Sequence, residues 1–400
     1  MSTLPAGFRP YAWAPSTEEL AVRAGLDPVE IIRFDGNVPA LPLPSSRPGA
    51  IAGALAEINM YPHGGYPGID EAIAAYAGVA PECVVLGAGA DDLLLLCGRA
   101  FARPGDTVAI PAEPTYPLFR VAAELAGATV GDEAPVLTFC CRPGNPYGDL
   151  PELPSARPLV VDEAYFEYSG GETAVGLIDE GVVVVRTFSK AFALAGARIG
   201  YLLAEPELAA ELRARQSPAQ VSTLSVALAL AALRSPPDVG PVLEERERLT
   251  AELRALGFEP LPSRANFVFV SSAEPERIYD ELLAAGCVVR LSRGGFRITV
   301  RDREDDDVLL GTLAGARGHF TFAGTPEQVA DLIEDWFTDG AADGFNIMPP
   351  FLPGGLDDFV DLVGDVSRGF VAVNGDLRSG YAGWTGQNSP LFLGLRMANA

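Results

Sequence analysis

Val182 to Leu202 reads VVVVRTFSKAFALAGARIGYL, and this stretch decides the fold. Four consecutive valines make a short apolar run of the kind that forms a strand buried on both faces. The run is expected to stop at a polar turn, Arg186-Thr187-Phe188-Ser189, which presents Lys190. A small-residue segment follows, then Arg198, then a second apolar run from Ile199 to Leu203. A lysine on a turn between buried strands can be dehydrated, which lowers its pKa and frees its amine as a nucleophile. The hydroxyls of Thr187 and Ser189 and the guanidinium of Arg198 suit a phosphate held nearby. A surface lysine on a strand-to-helix loop would carry the same local pattern, so the rest of the chain must decide.

Composition narrows the classes. The chain has 400 residues, 48% of them apolar, which points to two or three domains with large cores. Its net charge of −24 argues against a nucleic-acid partner. No run of eighteen apolar residues occurs, so no membrane span is expected. The first residues lack a basic start followed by an apolar core, so no signal peptide is expected. Five cysteines without CxxC spacing read as reduced thiols of a cytoplasmic protein. Only His63 and His319 are present, which leaves a Ser-His-Asp hydrolase and a His-rich metal site unsupported; no metal is expected.

Outward from the central stretch, short apolar runs alternate with helical patterns. Cys83 to Leu86 reads as a strand that breaks at Gly87-Ala88-Gly89-Ala90-Asp91-Asp92 and resumes as a helix from Leu93 to Phe101. A strand, a glycine turn and a helix start make an anion site, because the first helical N–H groups are unpaired. Alone, that pattern would equally allow a nucleotide. Thr107 to Pro111 is a strand, followed by Glu113-Pro114-Thr115-Tyr116-Pro117 and a helix from Leu118 to Ala126. Val136 to Cys140 is a strand ending in Arg142-Pro143-Gly144-Asn145-Pro146-Tyr147-Gly148. Pro158 to Val161 is a strand closed by Asp162-Glu163-Ala164-Tyr165. Further on, helices alternate with the strands Asn266 to Val270, Cys287 to Arg290 and Phe296 to Val300.

The Asp162 of DEAY lies 28 residues before the Lys190 of SKAF, with NPxG upstream. In that order the motifs resemble the pyridoxal-phosphate aminotransferases of the aspartate aminotransferase fold, most of all the histidinol-phosphate branch. The resemblance covers residues 1 to about 315. It implies an α/β chain of fold type I: an arm over 1–35, a large cofactor domain with a mostly parallel sheet over 36–240, and a smaller α/β domain over 241–315. It implies pyridoxal 5'-phosphate as cofactor, a homodimer, and an amino donor and a 2-oxo acid as substrates. Histidinol phosphate with 2-oxoglutarate is the expected pair. An aromatic amino donor, a phosphothreonine-type decarboxylase and an inactive scaffold remain alternatives.

Residue by residue, the resemblance makes Lys190 the lysine that carries the cofactor and moves the substrate proton. It sets Asp162 against the pyridine nitrogen, and Asn145 and Tyr165 against the phenolic oxygen. Tyr116 would stack on the ring. Ala90, Asp91, Ser189 and Arg198 would hold the phosphate, with Tyr61 reaching over from the partner subunit. Asn37, Arg290 and Arg297 would meet substrate, Arg297 as a fork on its carboxylate. Tyr147 stands where many such motifs carry threonine, and its bulk would crowd the pocket mouth.

The end of the chain departs from that family. Residues 316–363 resemble the C-terminal end of flavin-dependent monooxygenases of the bacterial luciferase type, similar to nitrilotriacetate monooxygenase, with a helix expected from Thr325 to Phe337. A complete barrel of that kind needs roughly 250 residues, so no flavin chemistry is assigned. Residues 364–400 are Gly-rich and read as a tail without fixed order.

Overall fold

The computed structural model describes residues 8–11, 14–40, 51–56, 58–62 and 65–315, together with residue 331 and three strands beyond them. The valine run forms an interior strand, third from one edge, of a seven-stranded sheet. Side chains alternate across a strand, so the four valines divide between two cores. Val183 and Val185 pack with Val85, Phe139, Val160 and Leu202 beneath the helices Ala90–Phe101 and Leu118–Leu125. Val182 and Val184 pack with Leu86, Val161 and Leu203 against the helices Ile69–Ala77 and Thr223–Leu233. Burial on both faces is why the strand reads as a continuous apolar run.

Across the sheet the strands run Val84–Gly87, Gly200–Leu203, Val182–Thr187, Leu159–Asp162, Leu137–Cys141, Thr107–Ala109 and Thr129–Val130. Gly200–Leu203 is antiparallel to both neighbours, and the other pairings are parallel. The central strand continues through Arg186 and Thr187, which pair with Tyr201 and Gly200. The polar turn expected at Arg186 therefore begins two residues later. Arg186 is tolerated in a buried strand because Glu163 neutralises it. Gly200 is required by packing: a Cβ there would lie 2.8 Å from the Arg186 carbonyl and 2.9 Å from the Ala90 nitrogen.

A four-stranded antiparallel sheet forms a second core, in the order Arg290–Ser292, Gly295–Thr299, Phe267–Ser271, Glu259–Pro260. Phe34, Leu249, Leu253, Val268, Val270, Phe296 and Ile298 fill it. The single strand expected from Cys287 to Arg290 is instead two. Cys287–Val288 pairs in parallel with Ile32–Arg33, at the end of the segment read as an arm. Arg290–Ser292 turns back on Gly295–Thr299 through Arg293-Gly294, with Gly294 at φ +79°. Two different hydrogen-bonding partners on either side of Val289 divide the run.

Strands Phe320–Gly324, Leu391–Met397 and Phe345–Met348 form a separate antiparallel sheet, the second of them inside the Gly-rich stretch. Most of the helix expected from Thr325, and His63 and His319, lie outside the described residues. All five cysteines are buried free thiols. Among the described residues no helix is long and apolar enough to cross a membrane.

One buried acid lies on the helix Arg303–Gly315, outside the residues expected at the site. Asp306 is fully buried, and its Oδ2 has no hydrogen-bond partner among the described residues. Burial, reinforced by Glu245, pushes its carboxyl up to about 8. The folded chain therefore binds a proton that the unfolded chain has released, so this group's contribution falls as pH rises from about 4 to about 8. Asp306→Asn is expected to flatten the fall of unfolding free energy across that window, measured by urea titration at several pH values.

Candidate active site

Ligands of open α/β sheets bind outside the carboxyl ends of the strands. Here five parallel strands deliver their following residues to one edge. Val84–Gly87 leads to Ala90 and Asp91, Thr107–Ala109 to Tyr116, and Leu137–Cys141 to Asn145. Leu159–Asp162 ends on Asp162 and leads to Tyr165, and Val182–Thr187 leads to Ser189 and Lys190.

Lys190 is the only lysine in the chain. Its Nζ donates to the Gly36 carbonyl at 3.1 Å and lies 5.8 Å from the centre of the Tyr165 ring. Dehydration lowers the amine to about 8, and the positive Arg297 adds to the effect. Asp162 is 3% exposed, and one of its oxygens accepts the Ala164 N–H at 3.0 Å. Burial pushes its carboxyl up to about 7, and Lys190 pulls against that shift. An amine and an acid with pKa values drawn toward each other form the usual signature of a proton-handling site.

Tyr165 is buried, and its hydroxyl accepts the Asn37 amide at 2.9 Å. Burial raises its phenol well above the ordinary range. Asn37 is held in turn by Thr299 and by the Asn266 amide. Its φ of 52° is a left-handed conformation that asparagine tolerates better than most residues. This side chain thus ties the early loop to the small sheet.

The anion end is built on the helix Ala90–Phe101. The helix begins at Ala90, three residues before the expected start, so Ala90 and Asp91 supply first-turn N–H groups. Asp91 pairs with Arg198 at 2.7 Å and accepts the Tyr116 hydroxyl at 2.8 Å. Thr187 donates its hydroxyl to Ser189 Oγ at 2.9 Å. Gly89 has φ +92°, a conformation that residues with a Cβ rarely adopt, and a Cβ there would also come within 2.8 Å of the Arg198 guanidinium.

Arg297 closes the other side. It is 7% exposed, donates to Asn145 Oδ1 and to the Asp35 carbonyl at 2.7 Å each, and lies 5.1 Å over the Phe267 ring. Its Nε has no hydrogen-bond partner among the described residues. Burial lowers its pKa. Arg290 is directly opposite Arg297 on the hairpin, so the two share a face of the sheet. Tyr61 is 82% exposed and stands apart from this group. Tyr147 packs edge-on against Phe269 at 4.8 Å, and that contact takes up its bulk.

The donor set fits pyridoxal phosphate. A weakly basic amine lies within electrostatic reach of a buried acid, of Asp91 and Arg198 at the anion end, and of Arg297 with its orphaned guanidinium nitrogen. Sequence spacing did not reveal the carbonyls of Asp35 and Gly36, or Thr299 and Asn266, because backbone acceptors and cross-domain partners leave no motif. The absence of any second lysine was a legible signal.

A family model described as aminotransferase class I and II matches residues 31–135 and 135–313. The histidinol-phosphate aminotransferase of Thermoanaerobacter pseudethanolicus is 34% identical over 298 residues, spanning 64% of this chain and 84% of that protein. That of Gloeobacter violaceus is 37% identical over 294 residues, spanning 64% and 82%. The crystal structure of histidinol-phosphate aminotransferase from Sinorhizobium meliloti in complex with pyridoxal-5'-phosphate superposes with a TM-score of 0.67 at 26% identity. It spans 78% of this chain and 98% of that one.

Proposed function

The chain belongs to the class I and II aminotransferases and is a pyridoxal-phosphate-dependent aminotransferase of fold type I, and we propose that its amino donor is histidinol phosphate and its acceptor a 2-oxo acid such as 2-oxoglutarate. The observation that carries this reading is that the sole lysine lies close enough to both Asp162 and Arg297 for each to shift its acidity. Two arginines on one face, Arg290 and Arg297, suit a donor or acceptor that carries more than one anionic group.

Pyridoxal phosphate, when bound, supplies an electron sink for the pair left behind as the α-proton departs. Lys190 Nζ is the base that takes that α-proton and returns it, since its amine is poised near neutrality. Asp162, as a buried anion, would hold a proton at the cofactor's ring nitrogen. Asn145 and Tyr165 would orient the phenolic oxygen, and Tyr116 would cover the ring. Ala90, Asp91, Ser189 and Arg198 would hold the phosphate. Asn37 shapes the substrate side. Arg297 grips the substrate carboxylate, exchanging its bonds to Asn145 and the Asp35 carbonyl for a bidentate pair. The outward exposure of Tyr61 supports a homodimer in which it reaches the partner's phosphate site. Five reduced thiols support a cytoplasmic setting.

The test begins with borohydride reduction of the yellow holoenzyme. One cofactor equivalent should be fixed, on the Lys190 peptide, because no other lysine exists. A donor screen that follows glutamate formation then ranks histidinol phosphate against aromatic amino acids. Carbon dioxide release in place of glutamate would replace this reading with the decarboxylase, and failure to take up cofactor would replace it with a scaffold. Arg297→Gln is expected to raise KM for the acidic substrate on the order of a hundredfold, as loss of one partner of a buried charge pair does. An unchanged KM would remove Arg297 from the substrate site.

A further inference from the structure

A buried charged cluster lies directly behind Asp162 and Lys190, and none of the roles above uses it. Arg186 and Glu163 have side chains 2% and 0% exposed and pair at 3.0 Å. Glu163 immediately follows Asp162, and Arg186 lies four residues before Lys190. The Arg186 Nε donates to Glu163 Oε2, and a terminal nitrogen donates to the Thr173 hydroxyl at 2.8 Å. Glu163 also accepts the Thr173 hydroxyl at 2.9 Å and the Ala174 N–H at 2.6 Å. The guanidinium stacks 3.5 Å over the Phe166 ring. One ion pair therefore ties the strand that ends on Asp162 to the strand that leads into Lys190.

Resting on the aminotransferase reading, we infer that Arg186 is a positioning residue: it fixes Glu163 and cancels its charge, so that the neighbouring Asp162 is held in place and its acidity is set. The cost of burying two ions argues that the pair has a use beyond stability, since an apolar replacement of both is often neutral or better. The groups facing Arg186 are Glu163, Glu167, Tyr76 and Tyr201. Glu167 bonds Tyr76 at 3.3 Å, and burial pushes it up to about 7, which leaves Glu163 as the principal counter-charge. Asp162 in turn faces Glu163, Asp91 and Lys190, with Cys140, Cys141, Tyr116 and Tyr165 around it. Removing Arg186 leaves Glu163 with the Thr173 and Ala174 donors and without its counter-charge, so that whatever charge it retains acts on the site as an added anion.

The experiment titrates the cofactor absorption of the holoenzyme against pH in wild type, Arg186→Met, Glu163→Gln and the double variant. Cofactor affinity and the thermal midpoint of each cofactor-free protein are read in parallel. Arg186→Met should move the spectral transition up by roughly one pH unit, the scale of a single buried charge close by. Glu163→Gln should move it down, by less, because Glu167 can ionise against the freed arginine. The double variant should return close to wild type. Two single variants that move the transition in the same direction, or a transition that stays fixed while only the thermal midpoint falls, would reduce the pair to a structural role. If Arg186→Met does not fold, Glu163→Gln and the double variant still decide, since no downward shift in the first overturns the inference. Failure of every variant and of wild type to take up cofactor would sink the aminotransferase reading itself, which is a separate outcome.

Discussion

Lys190→Ala is expected to lower turnover by roughly 10⁴-fold, the upper range of what a positioned acid–base group contributes. It should also abolish the borohydride-stable adduct. Both effects follow from the same nitrogen. Its amine is held at the Gly36 carbonyl, 5.8 Å from the Tyr165 ring centre, and is lowered to about 8 by dehydration and by Arg297. Most proteins have other lysines that blur such a result. This chain has none, so any adduct that survives must be on the terminal amine. A small primary amine in the buffer should recover part of the lost rate, because the cavity left by alanine can admit it. Turnover within tenfold of wild type would show that another base removes the proton. The peptide map of the reduced protein checks the covalent half of the prediction, and the steady-state rate checks the other half.

Asp162→Asn is expected to produce the second large loss, about 10³-fold in turnover, since it removes a preorganised charge from a water-poor site. The amide keeps the shape and the bond from Ala164 but cannot hold a proton at the ring nitrogen as an anion does. The same change should make the cofactor-free protein more stable at pH 8. Burial raises the Asp162 carboxyl to about 7, so the folded cofactor-free chain binds a proton that the unfolded chain has lost. Its contribution to stability is intact below pH 4 and is lost as pH rises through about 7. The asparagine variant has no such loss. Urea unfolding of both cofactor-free proteins at pH 5 and pH 8 measures it: the variant should gain on wild type distinctly more at pH 8 than at pH 5. A gain of equal size at both would assign the effect to packing. Loss of activity together with gain of stability is the pattern expected where a buried charge serves function.

The sequence by itself determined the strands and the residue types at their ends. Four valines in a row require burial on both faces, and the turn after them must carry whatever follows to a sheet edge. Lys190, Asp162, Asn145 and Tyr116 were therefore legible as strand-end residues, in the order that marks the family. Propensity did not place boundaries: the central strand runs on through Arg186, and the helix that holds Asp91 starts at Ala90. Those extensions depend on partners remote in sequence, Glu163 for the arginine and the close approach of Gly200 for the helix start.

Only the tertiary structure decided which of the strand ends meet. The early loop and the antiparallel sheet both meet the large sheet from far along the chain: 154 residues separate Lys190 from the carbonyl it bonds, and 152 separate Arg297 from Asn145. It also decided the acidities, because a carboxyl moves from its ordinary range only when neighbours strip away water and supply charge. Local sequence carries neither quantity. Hydrophobic period fixes what is buried, while dehydration and Coulomb energy depend on distances that exist only once the chain has closed on itself.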